Sequence, residues 1–431
     1  MTAAWGECSR GERLALATFV LFICHNPIET AMNFVFSLVN LPGAGVASVL
    51  IVFFPLLMSL ADRNASERRV IHMGFPALLA FWVFFFLATL TVHPEYASKM
   101  FQEGWQYNII DAFFYPLSGI YAFGVVLACR RTELVSRGLY YAAIVLFLYG
   151  VTRFANAEIR GYWEATGMSG VTLHTSYSLG FGYDMLLPTL VFMACICRGF
   201  RVKSNTALAV CSSAMILLAG SRGPLGILAV ALVAFVIFKV FNQKNLSHMG
   251  FFGICLLIVA VLMAALFSDS ILTWVADTLG ALGVSSRSVD SILNGNFSEL
   301  NGRQTIYALA ESLIEDGPLF GYGLYGDRYY LGPTVYWGYP HNILYELQIT
   351  FGAIPGLLIL VLVVGYVVYA FVKAADPLAR EVILILTLQC LSLWISLSYL
   401  YSVPFWTLLG FAYMLRVNAK NPALGAGAQI E

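Results

Sequence analysis

The stretch Leu357-Leu358-Ile359-Leu360-Val361-Leu362-Val363-Val364-Gly365-Tyr366-Val367-Val368-Tyr369-Ala370-Phe371 carries no charge and closes a longer apolar run that opens at His341. A helix needs about 20 mostly apolar residues to cross the hydrocarbon core of a bilayer, and 341–371 is longer than that. Similar runs lie near 13–36, 41–60, 70–92, 108–129, 136–155, 175–198, 203–219, 222–241, 249–268, 379–400 and 402–416. The pattern predicts an all-α polytopic membrane protein with about 12 transmembrane helices.

Composition points the same way. Of 431 residues, 59% are hydrophobic and 11% charged, where a water-soluble domain carries about 25% charged residues to cover its surface. The 24 Lys and Arg balance the 24 Asp and Glu, and the lack of a basic block argues against a nucleic-acid partner. The cysteines at 8, 24, 129, 195, 197, 211, 255 and 390 avoid long polar loops, so no disulfide framework is expected. Cys195 and Cys197 fall on different sides of a helix, which disfavours a metal pair. The first run follows Arg10 and Arg13 without a small-residue cleavage site and reads as a retained span.

With the N-terminus in the cytoplasm, every basic residue except Lys99, Arg153, Arg160, Arg222, Arg287, Arg303 and Arg328 falls inside, as the positive-inside rule requires. Both termini are then cytoplasmic. The chain divides into a bundle of about nine spans (1–268), an extracytoplasmic loop domain (269–340), three C-terminal spans (341–416) and a short tail (417–431). Long ordered loops tend to carry function, and this one predicts an amphipathic helix over 302–316. There Ile306, Leu309, Ala310, Leu313 and Ile314 recur at helical spacing before Gly317-Pro318. Its apolar face is expected against the membrane or the bundle. No repeat relates the two halves of the chain.

His341, in Pro340-His341-Asn342, sits where the loop enters the tenth span. Histidine titrates near neutrality and serves as a general base with little tuning; the plainer alternative is a side chain that bonds the first helical turn. Arg222, in Gly220-Ser221-Arg222-Gly223-Pro224, lies in a tight outside turn where a buried arginine is costly unless it has a task. Its guanidinium could grip a phosphate two-pronged; the alternative is a snorkelling interface residue. Arg303, in Asn301-Gly302-Arg303-Gln304-Thr305, opens the loop helix, where the dipole and unpaired N–H groups favour an anion. A surface arginine is the equal alternative. Arg328, in Gly326-Asp327-Arg328-Tyr329-Tyr330, is a secondary phosphate candidate.

Walker A, zinc, HExxH and Gly-x-Ser-x-Gly patterns are missing. No metal site and no cofactor are expected, although Glu158 and Glu164 could converge in space. Glu315-Asp316 closes the loop helix. Asp111, Asp184 and Glu29, in or near apolar runs, are candidates for proton relay or for plain interhelical bonding. His93 and His174 are rival bases.

Three stretches give the chain its resemblance to the O-antigen ligase and polymerase superfamily of bacterial membrane glycosyltransferases. They are Gly220-Ser221-Arg222-Gly223-Pro224, Asn301-Gly302-Arg303 through Asp316-Gly317-Pro318-Leu319-Phe320-Gly321-Tyr322-Gly323, and His341-Asn342 through Phe351-Gly352-Ala353-Ile354-Pro355-Gly356. The resemblance implies transfer of a glycan from undecaprenyl diphosphate, on the outer face of the cytoplasmic (inner) membrane, to an acceptor hydroxyl. The acceptor would be the lipid A core or the next lipid-linked repeat unit. It implies Arg222 and Arg303 as holders of the diphosphate, His341 as activator of the acceptor, and metal-free catalysis with inversion at the anomeric carbon. Other polysaccharide-assembly proteins are expected partners. A protein O-oligosaccharyltransferase, a twelve-helix transporter or lipid-linked oligosaccharide flippase, and a non-catalytic scaffold stay open as alternatives.

Overall fold

A computed structural model of the chain describes residues 8–39, 41, 43–61, 65–101, 119–166, 172–175, 178–242, 273, 277–278, 303–332 and 338–420. The span expected at 249–268, the first part of the one at 108–129, Asp111, Arg287 and most of 269–302 lie outside the described residues. In chain order the helices are α1 (Arg10–Ile23), α2 (His25–Leu38), α3 (Ala44–Ala61), α4 (Ala65–Val92), α5 (Ala97–Met100), α6 (Tyr121–Cys129), α7 (Thr132–Arg160), α8 (Leu179–Cys197), α9 (Val202–Leu218) and α10 (Arg222–Asn242). They continue as α11 (Arg303–Glu315), α12 (Gly326–Leu331), α13 (Ile343–Phe351), α14 (Ala353–Lys373), α15 (Pro377–Cys390) and α16 (Val403–Lys420). One two-stranded sheet pairs β1 (Trp163–Thr166) with β2 (Thr172–Thr175).

Among the described residues, six helices are long and apolar enough to cross a membrane: Gly74–Val92, Thr132–Arg160, Gly180–Cys197, Arg222–Val240, Ala353–Lys373 and Pro377–Trp394. The bent pair α1 and α2 makes a seventh. Ala44–Ser59 and Val202–Leu218 are shorter apolar helices. Large apolar side chains stand outward on these helices, with Phe84 71% and Leu362 70% exposed. Lipid in place of water removes the cost of that exposure, so the chain is an all-α integral membrane protein.

Two of the expected spans are broken, and by one device. The run 13–36 bends by 76° between α1 and α2, and the run 341–371 divides at Gly352 between α13 and α14. A proline ring clashes with the carbonyl four residues earlier and offers no N–H to it. Four residues before Pro27 is Ile23, the last of α1; four before Pro355 is Phe351, the last of α13. The run 379–400 also leaves the α-helix early. After Cys390 it passes through a 3₁₀ turn (Leu391–Trp394), and the N–H groups of Ser396 and Leu397 both return to the Ser392 carbonyl.

The chain forms two compact units. The first comprises Met1–Ala142, Thr166–Val171 and Gly302–Glu431; the second comprises Ala143–Ala165 and Thr172–Asn301. In the first, α6 packs on α16 and α1, and α13 packs on α14 and α11. A capping box starts α1: the Glu12 N–H donates to Ser9 Oγ at 3.2 Å, and the Ser9 N–H donates to Glu12 Oε2 at 2.9 Å. In the second, α8 packs on α9 and α10 over a core that includes Phe181, Met185, Met215 and Ile216.

Candidate active site

The first unit gathers Arg303, Arg328, His341 and Glu346 around one irregular segment, 395–399. Two glycine-rich stretches position the pieces around it. The strap 319–323 lies against the break between α13 and α14, with the Tyr322 N–H on the Ile349 carbonyl at 2.8 Å and the Gly323 N–H on the Thr350 carbonyl at 3.0 Å. Gly352 has φ of +99°, and a Cβ there would collide with the Leu319 carbonyl; only glycine supplies that backbone without a clash. The loop helix predicted over 302–316 is present as α11, and its apolar face rests on α12 and α13 through Ala310, Leu331 and Ile349.

His341 lies just ahead of α13, which Asn342 caps by accepting the Leu344 N–H at 2.9 Å. It stands outside the candidate membrane-spanning helices, is buried, and has φ of +54°, a strained conformation for a side-chain-bearing residue. Its Nδ1 is 2.8 Å from the Ser396 carbonyl oxygen, which also accepts the Tyr339 hydroxyl at 2.8 Å. A carbonyl only accepts, so Nδ1 carries the proton and Nε2 is the basic atom of the neutral ring. Burial pushes the imidazole down to about 4; the Ser396 carbonyl opposes that, and the charges of Arg303 and Arg328 add to it. The ring is therefore neutral at physiological pH.

Arg303 is the first residue of α11, and its guanidinium donates to the Ile395 carbonyl, next to the carbonyl held by His341. Among the described residues no carboxylate pairs with it. Arg328 is the opposite case. It is buried, ion-paired to Asp327 and to Glu346 Oε1 (2.7 Å), and donates to Ser398 Oγ at 2.7 Å. It also lies over the rings of Tyr325 and Tyr339. Glu346 in turn accepts from the Ser398 hydroxyl and from the Tyr399 N–H. The carboxylates on both sides already use the Arg328 charge, and what the network fixes is the segment 396–399.

Arg222 belongs to the second unit. It opens α10 and is half-buried, behind Gly220 (φ +73°) and Ser221, whose hydroxyl donates to the Ser178 carbonyl. Asp184 pairs with Arg153 at 2.6 Å, and Glu164 with Arg160 at 2.7 Å. Glu158 is exposed on α7, Glu29 is half-buried on α2, and Ser312 bonds Asp316 beside Glu315. His93 pairs with Glu95 and stacks on Tyr96; His174 stacks on Tyr162. Among the described residues, no group of three or more His, Cys, Asp or Glu is placed to hold a metal ion.

Comparison with known families gives a match over part of the chain. Residues 207–361 match the family described as O-antigen ligase. That match, together with the apolar helices, supports an O-antigen ligase-like or polymerase-like membrane enzyme of polysaccharide biosynthesis. No curated protein matches the chain. Arg222, Arg303, Arg328, His341 and Glu346 all lie within the matched residues, whereas the segment 395–399, which Arg303, Arg328, His341 and Glu346 contact, lies beyond their end.

That segment is what sequence reasoning missed. Ser396 and Ile395 act through main-chain carbonyls, which leave no residue signature. Ser398 and Glu346 were hidden in runs read as plain spans. A signal did exist: Ser392, Ser396 and Ser398 crowd the end of one apolar run and Ser402 opens the next, and serines that bond the backbone compete with helix.

Proposed function

We propose that the protein transfers a glycan from undecaprenyl diphosphate to a hydroxyl of the lipid A core or of a second lipid-linked repeat unit. The transfer takes place at the extracytoplasmic face of the bacterial cytoplasmic membrane. The observation that carries this reading is the attachment of Arg303 and His341 to adjacent carbonyls, 395 and 396: a cation with no carboxylate partner among the described residues, and a neutral base, on one turn. The acceptor hydroxyl gives its proton to His341 Nε2 as its oxygen bonds the anomeric carbon. The bond from that carbon to the diphosphate breaks, and undecaprenyl diphosphate leaves with the electron pair, inverting the centre. A diphosphate leaving group gains charge in that step, and a fixed guanidinium stabilises it, which is the task a divalent ion would otherwise perform. Arg222 is proposed for the donor phosphates on the sequence argument. Arg328, neutralised by two carboxylates, is proposed as a positioning residue in place of a phosphate ligand.

The test is transfer by purified protein given a lipid-diphosphate glycan and either acceptor. Transfer to one acceptor, lost in His341→Ala and His341→Gln with donor binding retained, is expected. Full activity of either variant, or a folded, donor-binding wild type that uses neither acceptor, overturns the reading. The transporter or flippase alternative would then be tested by donor movement across vesicles.

A further inference from the structure

A cluster of aromatic rings stands beyond the end of α4 and shares Tyr322 with the strap 319–323. Tyr96 is buried and forms its floor. The His93 ring stacks on it at 4.7 Å and 5°, Tyr329 lies at 4.5 Å, and Tyr330 meets it edge-on at 6.2 Å. Tyr322 packs on Tyr330 at 4.8 Å, and the Lys99 ammonium sits 5.6 Å over Tyr329. His93, Tyr322 and Tyr329 are half-buried, and Tyr330 is 38% exposed. The backing is closely packed. The Leu324 N–H donates to Thr89 Oγ1 at 3.0 Å, and a Cβ on Gly323 would strike the Thr89 side chain.

From this geometry we infer that Tyr322, Tyr329 and Tyr330, with His93 and Lys99 at the rim, form a platform for the pyranose rings of a glycan. The C–H face of a pyranose lies flat on an aromatic ring while its hydroxyls bond phenols and charged groups at the edge. The platform offers both in a preformed array, and each tyrosine has few rotamers to lose on binding. Tyrosines also line membrane interfaces as belts. Belt residues are spread around the perimeter, however, whereas these rings contact one another from two segments and carry a charged rim. Position supports the glycan: Tyr329 and Tyr330 follow Arg328 directly on α12, so one short helix carries the platform and the arginine that braces the segment bearing Ser396. The inference rests on the proposed transfer reaction for its ligand class, and donor and acceptor glycans share the chemistry.

The experiment uses full-length protein in nanodiscs. Binding is read on an array of lipid-free oligosaccharide fragments of bacterial surface polysaccharides, and KM and kcat are read for donor and acceptor separately. Tyr330→Ala and Tyr329→Ala should each weaken glycan binding about tenfold, the scale of one lost aromatic contact. Each should raise one KM by a similar factor with little change in kcat, and Tyr330→Trp should restore both. Whichever KM moves assigns the glycan to donor or acceptor. A wild type that binds no oligosaccharide on the array, or alanine variants that lower the unfolding midpoint while binding and KM stay put, overturns the platform. Binding that depends on Tyr330 in a protein that transfers nothing would keep the platform and sink the transfer reaction.

Discussion

His341 should titrate near pH 4, well below an ordinary histidine at about 6.5. At about 1.4 kcal/mol for each factor of ten, that depression disfavours the imidazolium by about 3 kcal/mol and leaves roughly one ring in a thousand protonated at pH 7. The folded-state value lies below the unfolded one, so the folded protein binds fewer protons between them. The contribution to stability is full above about pH 6.5 and is lost as pH falls toward 4. The chain has six histidines, few enough to follow by NMR of ¹³C-histidine-labelled protein in nanodiscs, with His341→Gln assigning the resonance. Arg303 is one of the charges pressing the value down, so Arg303→Gln should raise it. The acid limb of kcat/KM, which reports the free enzyme, should follow the same value. A wild-type His341 titrating at 6.5 or above, or one that falls in Arg303→Gln, would refute the reasoning.

The Arg328 network predicts an asymmetry. Arg328→Met strands Asp327 and Glu346 in the interior and should cost about 3–5 kcal/mol, while Glu346→Gln keeps the shape, leaves Arg328 paired with Asp327 and should cost far less; unfolding midpoints in detergent compare them. Gly352→Ala forces a side chain into the Leu319 carbonyl at φ +99° and should destabilise by about 2–5 kcal/mol, read the same way. Arg303→Lys should restore only part of the transfer lost in Arg303→Ala, because an ammonium lacks the guanidinium fork; equal activity of the lysine variant would remove the two-pronged role.

Elements with a long periodic signal were legible in the sequence. The loop helix at 303–315 follows from Ile306, Leu309, Ala310, Leu313 and Ile314, and most apolar runs became helices within a few residues of their expected ends. What escaped was decided by single backbone groups. Pro27 and Pro355 each stood three residues into a new helix, so the break they cause reads in sequence as continuation. Gly321 and Gly352 were visible only as glycines, and their mutual packing needs the fold. Arg303 and His341 stood out in the sequence as candidates, while the carbonyls that hold them did not. Arg328 was legible as a charge, but Glu346, the partner that consumes it, lay 18 residues on inside an apolar run.

A base held near pH 4 is a poor match for proton transfer at neutral pH, since efficiency peaks when the catalytic group titrates near the working pH. On the proposed reading the mismatch belongs to the resting state. Part of the depression comes from Arg303 and Arg328, and a diphosphate on Arg303 would cancel some of that field and raise the imidazole. Base strength then depends on donor occupancy: with the donor absent His341 is a weak base, and with the donor present its pull on an acceptor proton grows. Arg328 contributes a constant share, because its carboxylate partners are fixed in the interior. Arg303 contributes the variable share, because no fixed carboxylate among the described residues claims it. The difference between these two arginines, one balanced and one open, is what would let a single turn of chain couple the arrival of a lipid-linked donor to the activation of its acceptor.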